Sequence, residues 1–167
     1  GAFDTSYTPG TGNWDAFVSR TDASGSSLLF STYLGGNASE FVADVAVTAT
    51  GETVVGGATF SGTYPTTPGA FDTTLGFEDA FVTRLSEDGS GLVFSTFVGG
   101  TQSETCEGMH LASDGVVTIC GSTFSLDFPT TRGAFDVIKV GGTLQLDAYI
   151  SKLGPAGDMV TFATLLG

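Results

Sequence analysis

The string Gly-Ala-Phe-Asp begins at Gly1, Gly69 and Gly133, and each copy is followed by an Asp-Ala-aromatic segment and then a glycine-containing turn. The copies keep their order: DAFVSR at Asp15 returns as DAFVTR at Asp79 and DAYISK at Asp147, and LLFSTYLGG at Leu28 returns as LVFSTFVGG at Leu92. SEFVADVAVTATGETVVGGATF at Ser39 aligns without a gap on SETCEGMHLASDGVVTICGSTF at Ser103. A self-similar chain must fold into self-similar units, and the spacing of 68 and then 64 residues suits several strands plus one sizeable loop rather than a helical solenoid.

The units read as four strands each. A first strand (Ala43 to Val47, Gly108 to Ala112) and a second (Thr53 to Gly57, Val116 to Gly121) flank a tight turn. The third alternates, with Phe17, Phe81 and Tyr149 on the face of Ser19, Thr83 and Ser151, and Val18, Val82 and Ile150 on the face of Arg20, Arg84 and Lys152. The fourth follows turns at Gly25, Gly89 and Gly157 and carries Phe30, Phe94 and Phe162, all three expected in the core. The loop of about 20 residues between second and third strands (60–78 and 124–146) is long for a compact domain. It is expected to be an ordered lobe pinned by Pro65 or Pro129 and by a buried Phe71 or Phe135. The fold class is therefore all-β and antiparallel, organised as 1–36 (outer strand pair only), 37–100 and 101–167 (full units) within one domain.

PTTPGAFD, DAFVTRL, DGSG and LVFSTFVGG, followed by a hairpin ending in GST, resemble the bacterial β-propeller (SBBP) repeat of secreted and cell-surface proteins. The resemblance covers nearly the whole chain, although the Cys-containing hairpin and the GPAGDM turn depart from the common pattern. It implies four-stranded propeller blades with the small-residue strand innermost, about two and a half per chain, and says little about chemistry.

Composition narrows the function. A net charge of −13, with only two lysines, leaves no basic surface for nucleic acid. No apolar run approaches the length of a membrane helix. Catalytic signatures are missing: there is no G-x-S-x-G elbow, no H-E-x-x-H and no P-loop, and Gly10-Thr11-Gly12 reads as a loop. His110, the single imidazole, has Ala46 as its counterpart and is expected to be structural.

Carboxylates recur more regularly. Asp4, Asp72 and Asp136 end the GAFD strings, while Asp15, Asp79 and Asp147 open the third strands. These six form a calcium donor set if backbone carbonyls join them, but the favoured expectation is that they cap turns by accepting backbone N–H groups. Cys106 and Cys120, on neighbouring strands of the second full unit, fit either one disulfide or two separate thiols. Asn37-Ala38-Ser39 is an N-glycosylation sequon, and Trp14, Tyr7, Tyr33 and Tyr64 are candidates for stacking on a glycan.

Because natural propellers have at least four blades, an unfinished blade is expected to find its complement on another chain. Two functions follow as expectations. One is an extracellular, non-enzymatic structural protein that polymerises with identical copies into a fibre, tube or sheath. The other is a fragment of a larger propeller that binds glycan or protein.

Overall fold

The structure, a computed structural model, describes residues 1–7, 14–142 and 144–167. The Gly10-Thr11-Gly12 loop lies outside the described residues. Ten strands and no α-helix are found among them, which suits a chain rich in β-branched and aromatic residues punctuated by glycine.

The strands form three antiparallel sheets in chain order. The first pairs β1 (Ala16–Thr21) with β2 (Leu28–Leu34). The second runs β3 (Glu40–Val47), β4 (Thr53–Thr59), β5 (Asp79–Leu85), β6 (Leu92–Val98). The third repeats this meander with β7 (Gly108–Leu111), β8 (Val117–Thr123), β9 (Asp147–Leu153) and β10 (Val160–Leu166). Each strand expected from alternation is present, with the second strand of each full unit extended by two residues at its C-terminal end. Each outer pair carries a register shift near the same turn, at Arg20/Thr21, Arg84/Leu85 and Val160/Phe162.

Two apolar layers lie between successive sheets. Ala16, Val18, Phe30 and Leu34 of the first sheet meet Val55, Phe81, Leu85 and Phe97 of the second. Val54, Val82, Phe94 and Val98 on the other side of the second meet Val117, Ile119, Tyr149 and Leu165 of the third. Alternation thus gives the second sheet two buried faces, while the first and third each bury one.

The turn before each fourth strand has the same geometry. Gly25, Gly89 and Gly157 have φ of 70, 68 and 73°, and each amide donates to a carbonyl three residues back, at Asp22, Ser86 and Gly154. Left-handed backbone favours glycine, but at two of the three there is a second reason. A methyl at Gly89 would overlap the ring of Phe30, and one at Gly157 the ring of Phe94, because each Phe lies flat on the turn of the next sheet. Around a Cβ placed at Gly25 no atom of the described residues beyond its chain neighbours lies within 4 Å.

Two expectations about aromatic residues need correction for that reason. Phe30 and Phe94 are buried, but Phe162 is only half-buried, since no following turn covers it. Phe71 packs against the core with its amide on the Gly157 carbonyl, whereas Phe135, its counterpart, is 86% exposed. The long loops are pinned instead by the aromatic residue before each proline: Tyr64 and Phe128 are buried.

Alanine at the three turn glycines separates backbone strain from ring contact. Gly25→Ala is expected to cost about 1 kcal/mol from backbone alone. Gly89→Ala and Gly157→Ala are expected to cost about 2 to 4 kcal/mol because the methyl also displaces a ring. Urea midpoints of the three variants at low protein concentration check the order.

Candidate interaction surfaces

The six repeated aspartates divide into two sets with different work. Asp4, Asp72 and Asp136 each accept, through Oδ1, the amide two residues on, from Ser6 at 2.7 Å, Thr74 at 2.8 Å and Ile138 at 3.0 Å. Their own amides donate to Thr32, Thr96 and Thr164 on the adjacent fourth strand. This is turn capping that also ties the loop to the sheet.

Asp15 and Asp79 instead meet glutamates at the entry to the next sheet. The chain crosses there with Glu40 N–H on the Trp14 carbonyl and Glu104 N–H on the Glu78 carbonyl, both at 2.8 Å. That crossing places the carboxyls together: a Cβ at Gly35 would lie 2.7 Å from Asp15 Cγ and 2.8 Å from Glu40 Oε2. At Gly99 the same position would meet both Asp79 and Glu104. Thr59 and Thr123 hydroxyls donate to Glu40 and Glu104, the Gly100 amide donates to Glu104, and Gly76 N–H donates to Asp79 at 2.9 Å.

Burial pushes the carboxyls of Glu40 and Asp79 up to about 7 against those hydrogen bonds, and in each case the neighbouring carboxylate adds to the rise. Protonation of one member of a pair removes one of the two charges and with it the repulsion between the sheets. Sequence reading grouped Asp15 and Asp79 with the GAFD aspartates; the signal for their actual partners was the D…GG…SE order, repeated at Asp15, Gly35 and Glu40 and at Asp79, Gly99 and Glu104. Asp147 meets a different group, Lys139 Nζ, at 3.9 Å. Among the described residues no group of three or more His, Cys, Asp or Glu side chains gathers around one point.

The other candidates lie apart. Cys106 is buried and Cys120 exposed, both free thiols, with their sulfurs 3.7 and 3.8 Å from the Gly108 carbonyl; burial raises the Cys106 thiol to about 12. Asn37 stands on the exposed turn after β2, where its Oδ1 accepts the Ser61 hydroxyl. His110 is exposed on β7, opposite Thr118. Two of the repeated cations reach the next sheet: Arg20 donates to the Gly51 and Glu87 carbonyls and Arg84 to the Pro155 carbonyl, while Arg84 also pairs with Glu52 of its own sheet.

Of the proposed glycan-stacking set, Tyr64 is buried and Tyr7 lies against Tyr33, with ring centroids 5.7 Å apart. Trp14 belongs to another group. Trp14, Phe41, Phe60 and Phe77 run edge to face with centroids 5.9, 6.5 and 6.0 Å apart, and all but Phe60 are exposed. These aromatics come from four separate segments and only Phe60 recurs, as Phe124, so periodicity could not find the group. On the outer face of the first sheet, Phe17 is 67% exposed although Phe81 and Tyr149 at its position are buried. No family model matches this chain, and no curated protein does either.

The buried acids set the pH dependence of stability. With folded values near 7 against ordinary values near 4, the folded chain binds more protons than the unfolded one between those limits. Stability therefore falls as pH rises from about 4 to 7. Asp79→Asn and Glu40→Gln, which keep the shape and remove the titration, are expected to flatten that fall. Thermal unfolding of both variants and wild type at pH 5 and 8 measures it.

Proposed function

We propose that the chain is a non-enzymatic structural protein of propeller-type blades, working outside the cell, that associates head to tail with further copies of itself. The observation that carries this reading is a contact made twice within the chain. The Phe of one sheet lies on the glycine turn of the next, at Phe30 on Gly89 and Phe94 on Gly157, and Phe162 and Gly25 are the same two halves without their partners.

The surroundings of those halves agree. Beside Phe162 the outer face of the third sheet carries half-buried Ile150, exposed Leu166 and Lys152, the counterpart of Arg20 and Arg84. The first sheet offers Phe17 and Tyr33, a pair at the end of the hairpin away from the open turn. Two unlike faces that fit each other make a heterologous contact, which yields rings when the rotation closes and filaments when it does not. Low lysine content, strong acidity and the resemblance to secreted propeller repeats support an extracellular site.

The exposed chain Trp14, Phe41, Phe60 and Phe77 favours a second reading, a glycan- or protein-binding module of a larger propeller. Aromatic faces of that extent are common where sugars or partner chains dock.

Sedimentation velocity over a wide concentration range separates the readings. Self-association should grow with concentration and weaken more than tenfold in Phe162→Ser and in Gly25→Ala, since burial of a Phe ring contributes about 1.5 to 3 kcal/mol. Mixing the two variants leaves one sound contact per pair, so dimers and nothing longer should form. A chain that stays monomeric throughout would overturn the proposal.

A further inference from the structure

Four aromatic residues gather where the chain passes from the first sheet into the second. Trp14 is brought to Phe41 by the crossing in which Glu40 N–H bonds the Trp14 carbonyl. Phe41 stands opposite Ala58 in the register of β3 and β4, and Phe60 follows Ala58 on the same face by alternation. Phe77, just before β5, continues the row. Trp14, Phe41 and Phe77 are exposed by 62, 45 and 64%. The row is framed by the first two sheets, both within this chain.

Three observations say what such a row receives. Neighbouring rings meet at 80, 81 and 89°, so no two of them offer faces in one plane, which a sugar chain stacking along the row would need. Perpendicular rings form corners instead, the arrangement that surrounds cations in aromatic cages. The surroundings are acidic. Each exposed ring has a carboxylic acid beside it in sequence, Asp15, Glu40 and Glu78, and the first two of these meet at Gly35. Three of the chain's five Lys and Arg side chains, Arg20, Arg84 and Lys139, are held elsewhere by carbonyls and carboxylates. With a net charge of −13, the field at the row favours a cation brought by a partner. The third observation is spacing. The ring centroids stand 5.9, 6.5 and 6.0 Å apart, close to the about 6.5 to 7 Å between alternate side chains on one face of an extended peptide.

We infer that the row from Trp14 to Phe77 docks an extended segment of a partner protein that carries arginine at alternate positions. Arginine suits the rings better than lysine, because its guanidinium is planar, weakly hydrated and stacks on aromatic faces. The inference rests on the binding-module reading and narrows it to a basic protein ligand.

Trp14 is the single tryptophan of the chain, so its fluorescence reports on the row. The test titrates the full chain at low salt with acetyl-Arg-Ser-Arg-Ser-Arg-Ser-Arg amide, and a saturable change in emission is expected. The same peptide with citrulline for arginine, alike in shape but uncharged, should give none. A peptide of equal composition with its arginines consecutive should bind at least about fivefold more weakly, since only alternate side chains face the row. Phe77→Ser alters an exposed side chain and leaves the net charge unchanged; it should weaken binding about two- to fivefold, the loss of one exposed cation–π contact. The last two comparisons separate recognition by the rings from the general attraction of an acidic chain for a basic peptide. The inference is overturned if no saturable change appears by about 5 mM peptide, if the citrulline peptide binds equally, or if Phe77→Ser binds as wild type does. Cellohexaose is titrated in parallel. Saturation by the sugar without the arginine peptide overturns the inference and leaves the binding-module reading standing, while saturation by neither overturns both.

Discussion

A phenylalanine ring laid on a left-handed glycine turn joins each sheet of this protein to the next, and much else is arranged around that contact. The turn must be glycine because of φ and also because the ring occupies the space a side chain would need. The ring in turn fixes how far the two sheets stand apart and in which register, so the alternating apolar positions of β1 and β5 meet their counterparts on the following sheet. Arginine reaches the same turn, Arg20 to the Glu87 carbonyl and Arg84 to the Pro155 carbonyl, so ring and guanidinium hold one turn together. The contact is local in each sheet and non-local between sheets, which is how a short motif repeated in sequence becomes a stacked architecture.

The carboxyl pairs answer a different constraint at the opposite end of the strands. Where the chain passes from one sheet to the next, the crossing buries Glu40 and Glu104, and an isolated buried carboxylate is costly. Threonine hydroxyls and the Gly100 amide donate to the glutamates, and the raised values of Glu40 and Asp79 favour the neutral acid, which removes one of the two charges. A chain this acidic keeps its surface charged while holding neutral acids inside, and the two populations respond to pH in opposite directions: Asp88, bonded by Ser86 and Ser90 on the surface, falls to about 2, while the buried acids rise.

Repetition made the strands, their order and the turn glycines legible in the sequence, because each follows from spacing within one unit. What it could not show was which neighbour each unit has. Phe71 and Phe135 are equivalent in sequence, yet one packs and the other is exposed, since only the first has a sheet beyond it. The same holds for Phe17 against Phe81. The carboxyl pairs were hidden for a related reason: Asp15 and Glu40 belong to different sheets, and only the backbone crossing brings them together. Of the Trp14 to Phe77 aromatics only Phe60 has a counterpart in the next unit, Phe124, so no periodic signal marks the group.

Stacked repeat proteins usually close with units whose outer face is polar, which stops further stacking. Here both outer faces are apolar at the positions that matter: Phe17 and Tyr33 on the first sheet, Phe162, Ile150 and Leu166 on the third. Against association stands the net charge of −13 on each copy. The two effects act over different distances. Repulsion between surface carboxylates farther apart than the Debye length, about 8 Å at physiological salt, is largely screened, while burial of a single ring contributes about 1.5 to 3 kcal/mol at contact. Under the proposed self-association, moderate salt would leave the apolar contact dominant at close approach, and the acidity would govern how readily copies meet rather than whether they hold.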